Sequence, residues 1–289
     1  TKKSEHSAEN DPMLSSLINS KSSSICLFGK SWDFQVDVAL GISNQENLTN
    51  ISDSAKHIVN SGKEFLFDAE HFFDGYKQSQ SFSFDMLDAA VNGGADTLVL
   101  CDTNGGSLPN FIYDVTSKIV NRYSVPIGIH SHNDSGLAGA NTLMAVSAGA
   151  LHVQGTINGV GERCGNVSLA TVIPNLLLKM NARTKTELKL SGLSSLVKFT
   201  YDIMNMHPDT QAPFIGKSAF AHKGGLHVSA VMKDPSTYEH VRPEYIGNNR
   251  KILVSNQAGK SNLLSRLSSV GINVDDKEER LVDLLEVVI

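Results

Sequence analysis

Residues 126–141, PIGIHSHNDSGLAGAN, place His130 and His132 two apart at the end of a short apolar run, with Asn133 and Asp134 next. If the run before them is a strand, its alternation sends both imidazoles to one side, about 6–7 Å apart along the strand. Two imidazoles so placed can grip one metal ion; the alternative is a pair of surface histidines at a strand end. Asn166 closes the glycine-rich NGVGERCGN, residues 158–166. Its amide oxygen can serve a cation, or the residue can cap the helix that follows. Asp68 and Glu70, in FDAEHFFDGY, fall on one side of a strand. Paired carboxylates can do acid–base work, or they are solvated loop charges. Asp102 and Thr103 follow TLVLC and can orient a substrate oxyanion or cap the next turn. His222 and His227 lie either side of two glycines in a later segment without an obvious packing pattern. Cys164 reads as a small buried thiol, since the sequence places no base beside it.

NGVGERCGN has the look of a dinucleotide loop, but the third glycine of GxGxxG falls on Cys164, so that reading is weak. A glycine-rich turn can still let backbone approach a ligand closely. The chain has 289 residues, 40% hydrophobic and 19% charged, as in an ordinary globular protein. Its net charge of −5 argues against a general binder of nucleic acid or anionic membrane. No apolar run approaches the roughly 20 residues that span a bilayer. Three scattered cysteines make no disulfide framework and point to a reducing cytoplasm. The first residues, TKKSEHSAENDP, lack an apolar signal region, and a start without Met suggests a piece of something longer.

These residues need elements to position them. Short apolar runs starting near residues 25, 65, 97, 127 and 151 alternate with helical patterns over about 44–62, 83–94, 109–123, 137–150 and 166–180, the last with Pro174 inside. Such spacing suits βα units on a parallel sheet. NGGADTLVL and SAGALHVQG repeat one order of helix end, Gly-Ala and strand. Lys30–Ser31, Asp68–Glu70, Asp102–Asn104, His130–His132 and Asn158 all follow strand ends. A (β/α)₈ barrel gathers every such end into one ring, whereas an open sheet builds its site at one switch point. Polar residues after all five strands favour the barrel. Residues 1–183 are therefore expected to be the C-terminal part of a TIM barrel, strands four to eight. Residues 184–289 are expected to be helical accessory structure: a helix pair over 185–208, a Gly- and His-rich stretch, and two amphipathic helices in the tail.

Taken together, IHSHNDSGLAGAN, VQGTINGVGERCGN, CDTNGG and FDAEHFFDGYK resemble the DRE-TIM metallolyase (HMGL-like) superfamily. Within it they are similar to the α-isopropylmalate, homocitrate and citramalate synthase branch, the citramalate type above all. The resemblance implies that His130, His132 and Asn166 are ligands of a divalent metal, Mn²⁺, Mg²⁺ or Zn²⁺. It implies that Thr103, with Asp102, binds the keto-acid carboxylate, and that Glu70 lies near the reacting centre. His227 and Tyr238 match residues that reach the site across a homodimer. The family's remaining ligand, an Asp on the first strand, has no counterpart here, nor do strands one to three or the C-terminal regulatory domain. One position departs from the family: Gln35 stands where GKSWDxH usually has His, and a Gln is no acid or base near neutral pH.

The reaction so implied is a Claisen-type condensation of acetyl-CoA with pyruvate to citramalate and CoA, in cytoplasmic isoleucine biosynthesis. Glu70, or His227 with Tyr238, would take the acetyl proton. The nearest alternatives are 2-isopropylmalate and homocitrate synthesis. A carbon–carbon lyase is disfavoured by the synthase-like HKGGLHVSA segment. A non-catalytic regulatory derivative of the fold is the rival that Gln35 encourages.

Overall fold

The computed structural model describes residues 1–253, 260–269 and 271–274. Five parallel strands, β1 (Ser24–Lys30), β2 (Glu64–Glu70), β3 (Thr97–Asp102), β4 (Ile127–Ser131) and β5 (His152–Gln154), lie side by side in chain order. Cys26 stands beside Leu66, Leu66 beside Thr97, Val99 beside Gly128 and His130 beside Gln154. Right-handed crossovers between sequential strands put every connecting helix on one face, whereas a doubly wound sheet reverses its order. The order is that of a barrel arc, the architecture expected from the polar strand ends.

Alternation sorts the strand residues into two faces. Ile25, Leu27, Phe65, Phe67, Leu98, Leu100, Ile127 and Ile129 are buried on the helix side. They share one core with Ile51 and Ile58 of helix Asn44–Asn60, Met86 of Gln80–Asn92, Ile119 of Pro109–Arg122 and Ala145 of Ala138–Ser147. The opposite face carries Cys26, Phe28, Asp68, Glu70, His130 and Gln154, and Phe28 there is 62% exposed. The chemistry-bearing residues therefore stand on the face that a closed barrel turns inward.

The repeated Gly-Ala pattern is a repeated helix stop. Ala95 N–H reaches Ala90 O and Gly94 N–H reaches Val91 O; Ala150 N–H reaches Ala145 O and Gly149 N–H reaches Val146 O. Gly94 and Gly149 have φ of 98° and 106°, the left-handed conformation this cap demands. Helices not legible in the sequence include Pro12–Ile18, capped by Asp11, and Phe72–Gln78. β5 is shorter than the run LHVQGTING, residues 151–159, suggests. Thr156 N–H instead reaches Val167 O, and Leu169 N–H reaches Thr156 O. The backbone past Gln154 is thus taken by the segment leading into helix Leu169–Leu178.

The chain divides into two compact units, Thr1–Val172 and Ile173–Ile289. In the second, residues 185–208 hold one helix, Leu193–Ile203, after a 3₁₀ turn at Leu190–Gly192, and not the expected pair. Leu188 and Leu190 are spaced by two, a strand period that gives a helix no continuous apolar stripe. Helices Gly225–Lys233 and Lys260–Ser269 follow, each preceded by one of two paired two-residue strands, β6 (Ala221–His222) and β7 (Lys251–Ile252). The second helix expected in the tail lies outside the described residues. Among those described, no helix is long and apolar enough to cross a membrane.

Candidate metal centre

His130 lies on β4 and His132 just beyond it, with ring centroids 5.2 Å apart. Both residues are half-buried, not the free surface histidines of the alternative reading. His132 is fixed by its backbone: its N–H donates to Asp102 O at 3.2 Å, and it pairs with Asn166 in an isolated antiparallel bridge. Burial, then the neighbouring His130 and Arg163, hold its imidazole below the usual histidine range. The ring is therefore neutral near neutral pH, the form that ligates. Its Nδ1 is buried without a hydrogen-bond partner.

Asn166 is the second fixed point. The helix beyond it begins at Leu169, so Asn166 is too far upstream to be its N-cap. Its side-chain N–H donates to Val160 O at 3.1 Å, which leaves Oδ1 buried and unpartnered. Gly161 makes that placement possible, because a Cβ there would collide with the Asn166 amide nitrogen. The glycines of this loop let backbone close on Asn166. A buried polar atom left unpaired costs about 1–3 kcal/mol. Two of them on residues bridged to each other, beside a second imidazole, fit a bound divalent cation. Among the described residues no three His, Cys, Asp or Glu side chains converge; the available set is two imidazoles and an amide oxygen, whose mixed N and O character suits Mn²⁺, Mg²⁺ or Zn²⁺.

The neighbouring strand ends have definite partners. Glu70 pairs with Lys30 at 2.7 Å. Asp68 instead accepts from Gln154 Nε2 at 2.9 Å and the Cys26 thiol at 3.1 Å. The two carboxylates thus share a face and hold different partners. Although Cys26 is an exposed residue, protein packed around its thiol and the Asp68 charge push it up to about 12, so it keeps its proton. Asp102 is buried, and burial raises its carboxyl. Its Oδ2 accepts from Ser107 N–H at 3.4 Å and Asn141 Nδ2 at 3.2 Å, so it does cap the turn after β3. Thr103 Oγ1 accepts from His71 N–H at 2.8 Å and keeps its own proton to donate.

Cys164 is exposed, against the expected buried thiol. It lies in the turn between Arg163, at φ 56°, and Gly165, at φ 85°, outside the packed layers. The sequence reading missed Arg163, Asp134 and Gln154. Arg163 sat in plain view within GERCGN; Gln154 had no signal, because its partners depend on strand register.

In the second unit, the His227 and Tyr238 rings stack with centroids 4.1 Å apart, and both residues are exposed. His222 is structural: it lies 3.1 Å from the buried Glu239, which Arg250 grips with two hydrogen bonds of 2.6 Å.

Residues 8–199 match the HMGL-like family model, and residues 214–284 match the homocitrate synthase post-HMGL domain-like model. The chain is 47% identical to an (R)-citramalate synthase of Aquifex aeolicus over 99% of its own length, and 46% identical to one of Synechocystis over 95%. It spans about half the length of these curated relatives, 54% and 52%. A solved HMG-CoA lyase of Bacillus subtilis shares the fold, with a TM-score of 0.59 at 20% identity over 67% of each chain.

Proposed function

Because the chain belongs to the HMGL-like family, we propose that the protein carrying it condenses acetyl-CoA with pyruvate and water to give citramalate and CoA. The observation that carries this reading is the pair of unpartnered buried polar atoms, His132 Nδ1 and Asn166 Oδ1, beside His130. Relatives named (R)-citramalate synthase at 47% and 46% identity favour pyruvate as the keto acid.

A divalent cation held by His130, His132 and Asn166 supplies Lewis acidity toward the keto oxygen when bound. The chain's own groups do the rest. Thr103 presents its hydroxyl proton to the keto-acid carboxylate, its oxygen already oriented by His71 N–H. Asp102, fixed by Ser107 and Asn141, holds the end of β3 at which Thr103 stands. Glu70, steadied by Lys30, takes a proton from the acetyl methyl. The new carbon–carbon bond forms at the keto carbon, and water then cleaves the thioester to release CoA. The stacked His227 and Tyr238 are kept as a second acid–base pair, contributed across a homodimer. The protein works in the cytoplasm, in isoleucine biosynthesis, and residues 1–183 supply strands four to eight of its barrel.

The test is CoA thiol release by the full-length protein with Mn²⁺ and each of pyruvate, 2-oxoisovalerate and 2-oxoglutarate. Release that is fastest with pyruvate and lost to a chelator is expected. Preference for another keto acid replaces citramalate with 2-isopropylmalate or homocitrate, and no release with any of them overturns the reading.

A further inference from the structure

We propose that Gln154, anchored by Asp68, is a positioning residue that fixes which nitrogen of His130 carries the proton. The inference rests on the metal reading above and deepens it.

Three side chains on the inward face of β2, β4 and β5 form a chain of contacts. His130 Nδ1 lies 2.8 Å from Gln154 Oε1, and Gln154 Nε2 lies 2.9 Å from Asp68 Oδ1. The register puts His130 directly beside Gln154 on neighbouring strands. Only one assignment satisfies both contacts. The Asp68 carboxylate accepts, so the amide N–H₂ of Gln154 must face it. A turned amide would set two acceptor oxygens against each other at hydrogen-bond distance. With N–H₂ committed to Asp68, the oxygen of Gln154 faces His130, and Nδ1 must donate. The neutral ring then keeps its lone pair on Nε2. The Cys26 thiol donates to the same Asp68 oxygen, holding the far end of the relay still.

A ligating histidine whose other nitrogen donates to a fixed acceptor has its tautomer and ring plane set in advance, and losing such a partner typically costs 10–100-fold in metal affinity. The relay leaves the reacting carbon untouched, so its signature is tautomer and metal affinity more than substrate affinity.

The experiment uses the full-length protein with ¹⁵N-labelled histidine, and Mn²⁺ alone as the metal probe. In the metal-free wild type, ¹⁵N shifts should report His130 protonated on Nδ1. Gln154→Ala should mix the tautomers and weaken Mn²⁺ binding about 10–100-fold. Asp68→Asn, a milder change, should move both readouts the same way, because a neutral amide in place of the carboxylate no longer demands a donor. Gln154→Glu combined with Asp68→Asn exchanges donor and acceptor along the relay and should restore both. A wild-type His130 protonated on Nε2, or a folded Gln154→Ala variant with unchanged tautomer and Mn²⁺ affinity, overturns the proposal. If the wild type binds no Mn²⁺ yet His130 is protonated on Nδ1, the metal reading fails while the positioning by Gln154 stands.

Discussion

Arg163 grips Asp134 with two parallel hydrogen bonds, Nε to Oδ1 at 2.7 Å and Nη2 to Oδ2 at 3.0 Å. The same Nη2 reaches Thr103 O at 2.6 Å. One guanidinium thus fastens together the loops that follow β3, β4 and β5, three residues before Asn166. An exposed pair of this kind is worth at most about 1 kcal/mol of stability, so its value lies in placement. Arg163→Ala should leave the melting temperature nearly unchanged and weaken Mn²⁺ binding about tenfold. Arg163→Lys should not rescue it, because an ammonium lacks the fork. Calorimetric Mn²⁺ titration beside thermal unfolding checks both halves; unchanged Mn²⁺ affinity in Arg163→Ala would remove the latch from the account.

Gly161→Ala tests the loop from another side. The added methyl meets the Asn166 amide, so Asn166 should be pushed off its place while the sheet stays intact. Far-ultraviolet circular dichroism should match wild type and Mn²⁺ binding should fall. Full Mn²⁺ affinity in this variant would show that Asn166 is no ligand.

Glu70→Gln separates chemistry from binding. Loss of a positioned base lowers turnover by roughly 10²–10⁴-fold, and Mn²⁺ affinity should hold. Steady-state kinetics with pyruvate and acetyl-CoA make the comparison. Should kcat survive, the base is elsewhere, and Tyr238→Phe, which keeps the ring on His227 but removes the hydroxyl, becomes the informative variant.

The second unit carries a pH dependence of its own. Burial pushes the Glu239 carboxyl up, but Arg250 and His222 outweigh it and hold the group below the usual range. A carboxylate depressed in the folded state adds stability that is present above its unfolded value and is lost as pH falls through the folded one. Glu239→Gln should cost stability at neutral pH, near the low end of roughly 3–5 kcal/mol because Arg250 keeps some water contact. It should also flatten the decline as pH falls below the ordinary glutamate range. Urea unfolding across that range is the measurement; a wild-type curve as flat as the variant's would contradict it.

Much of this was legible in the residues. β1 to β5 begin within one residue of the expected positions, because each is a short apolar run bounded by turn residues. His130, His132 and Asn166 were readable as candidate donors from type and spacing. What stayed hidden depends on contacts between distant segments. Gln154 meets His130 and Asp68 through register, which one sequence does not encode visibly. Phe72–Gln78 was missed because an interior Gly75 disfavours a helix, while packing of Phe72 and Phe73 into the core holds it. Cys164 was misplaced because a small thiol reads as core, while the turn geometry on either side of it puts it in solvent.

The central claim is that His130, His132 and Asn166 share one divalent cation. Pulsed electron paramagnetic resonance on the full-length protein loaded with stoichiometric Mn²⁺ tests it most directly. Two imidazole ¹⁴N couplings are predicted in the wild type, with one lost in His130→Ala and the other in His132→Ala. Tightly bound Mn²⁺ with no imidazole coupling, or couplings untouched by either substitution, would contradict it.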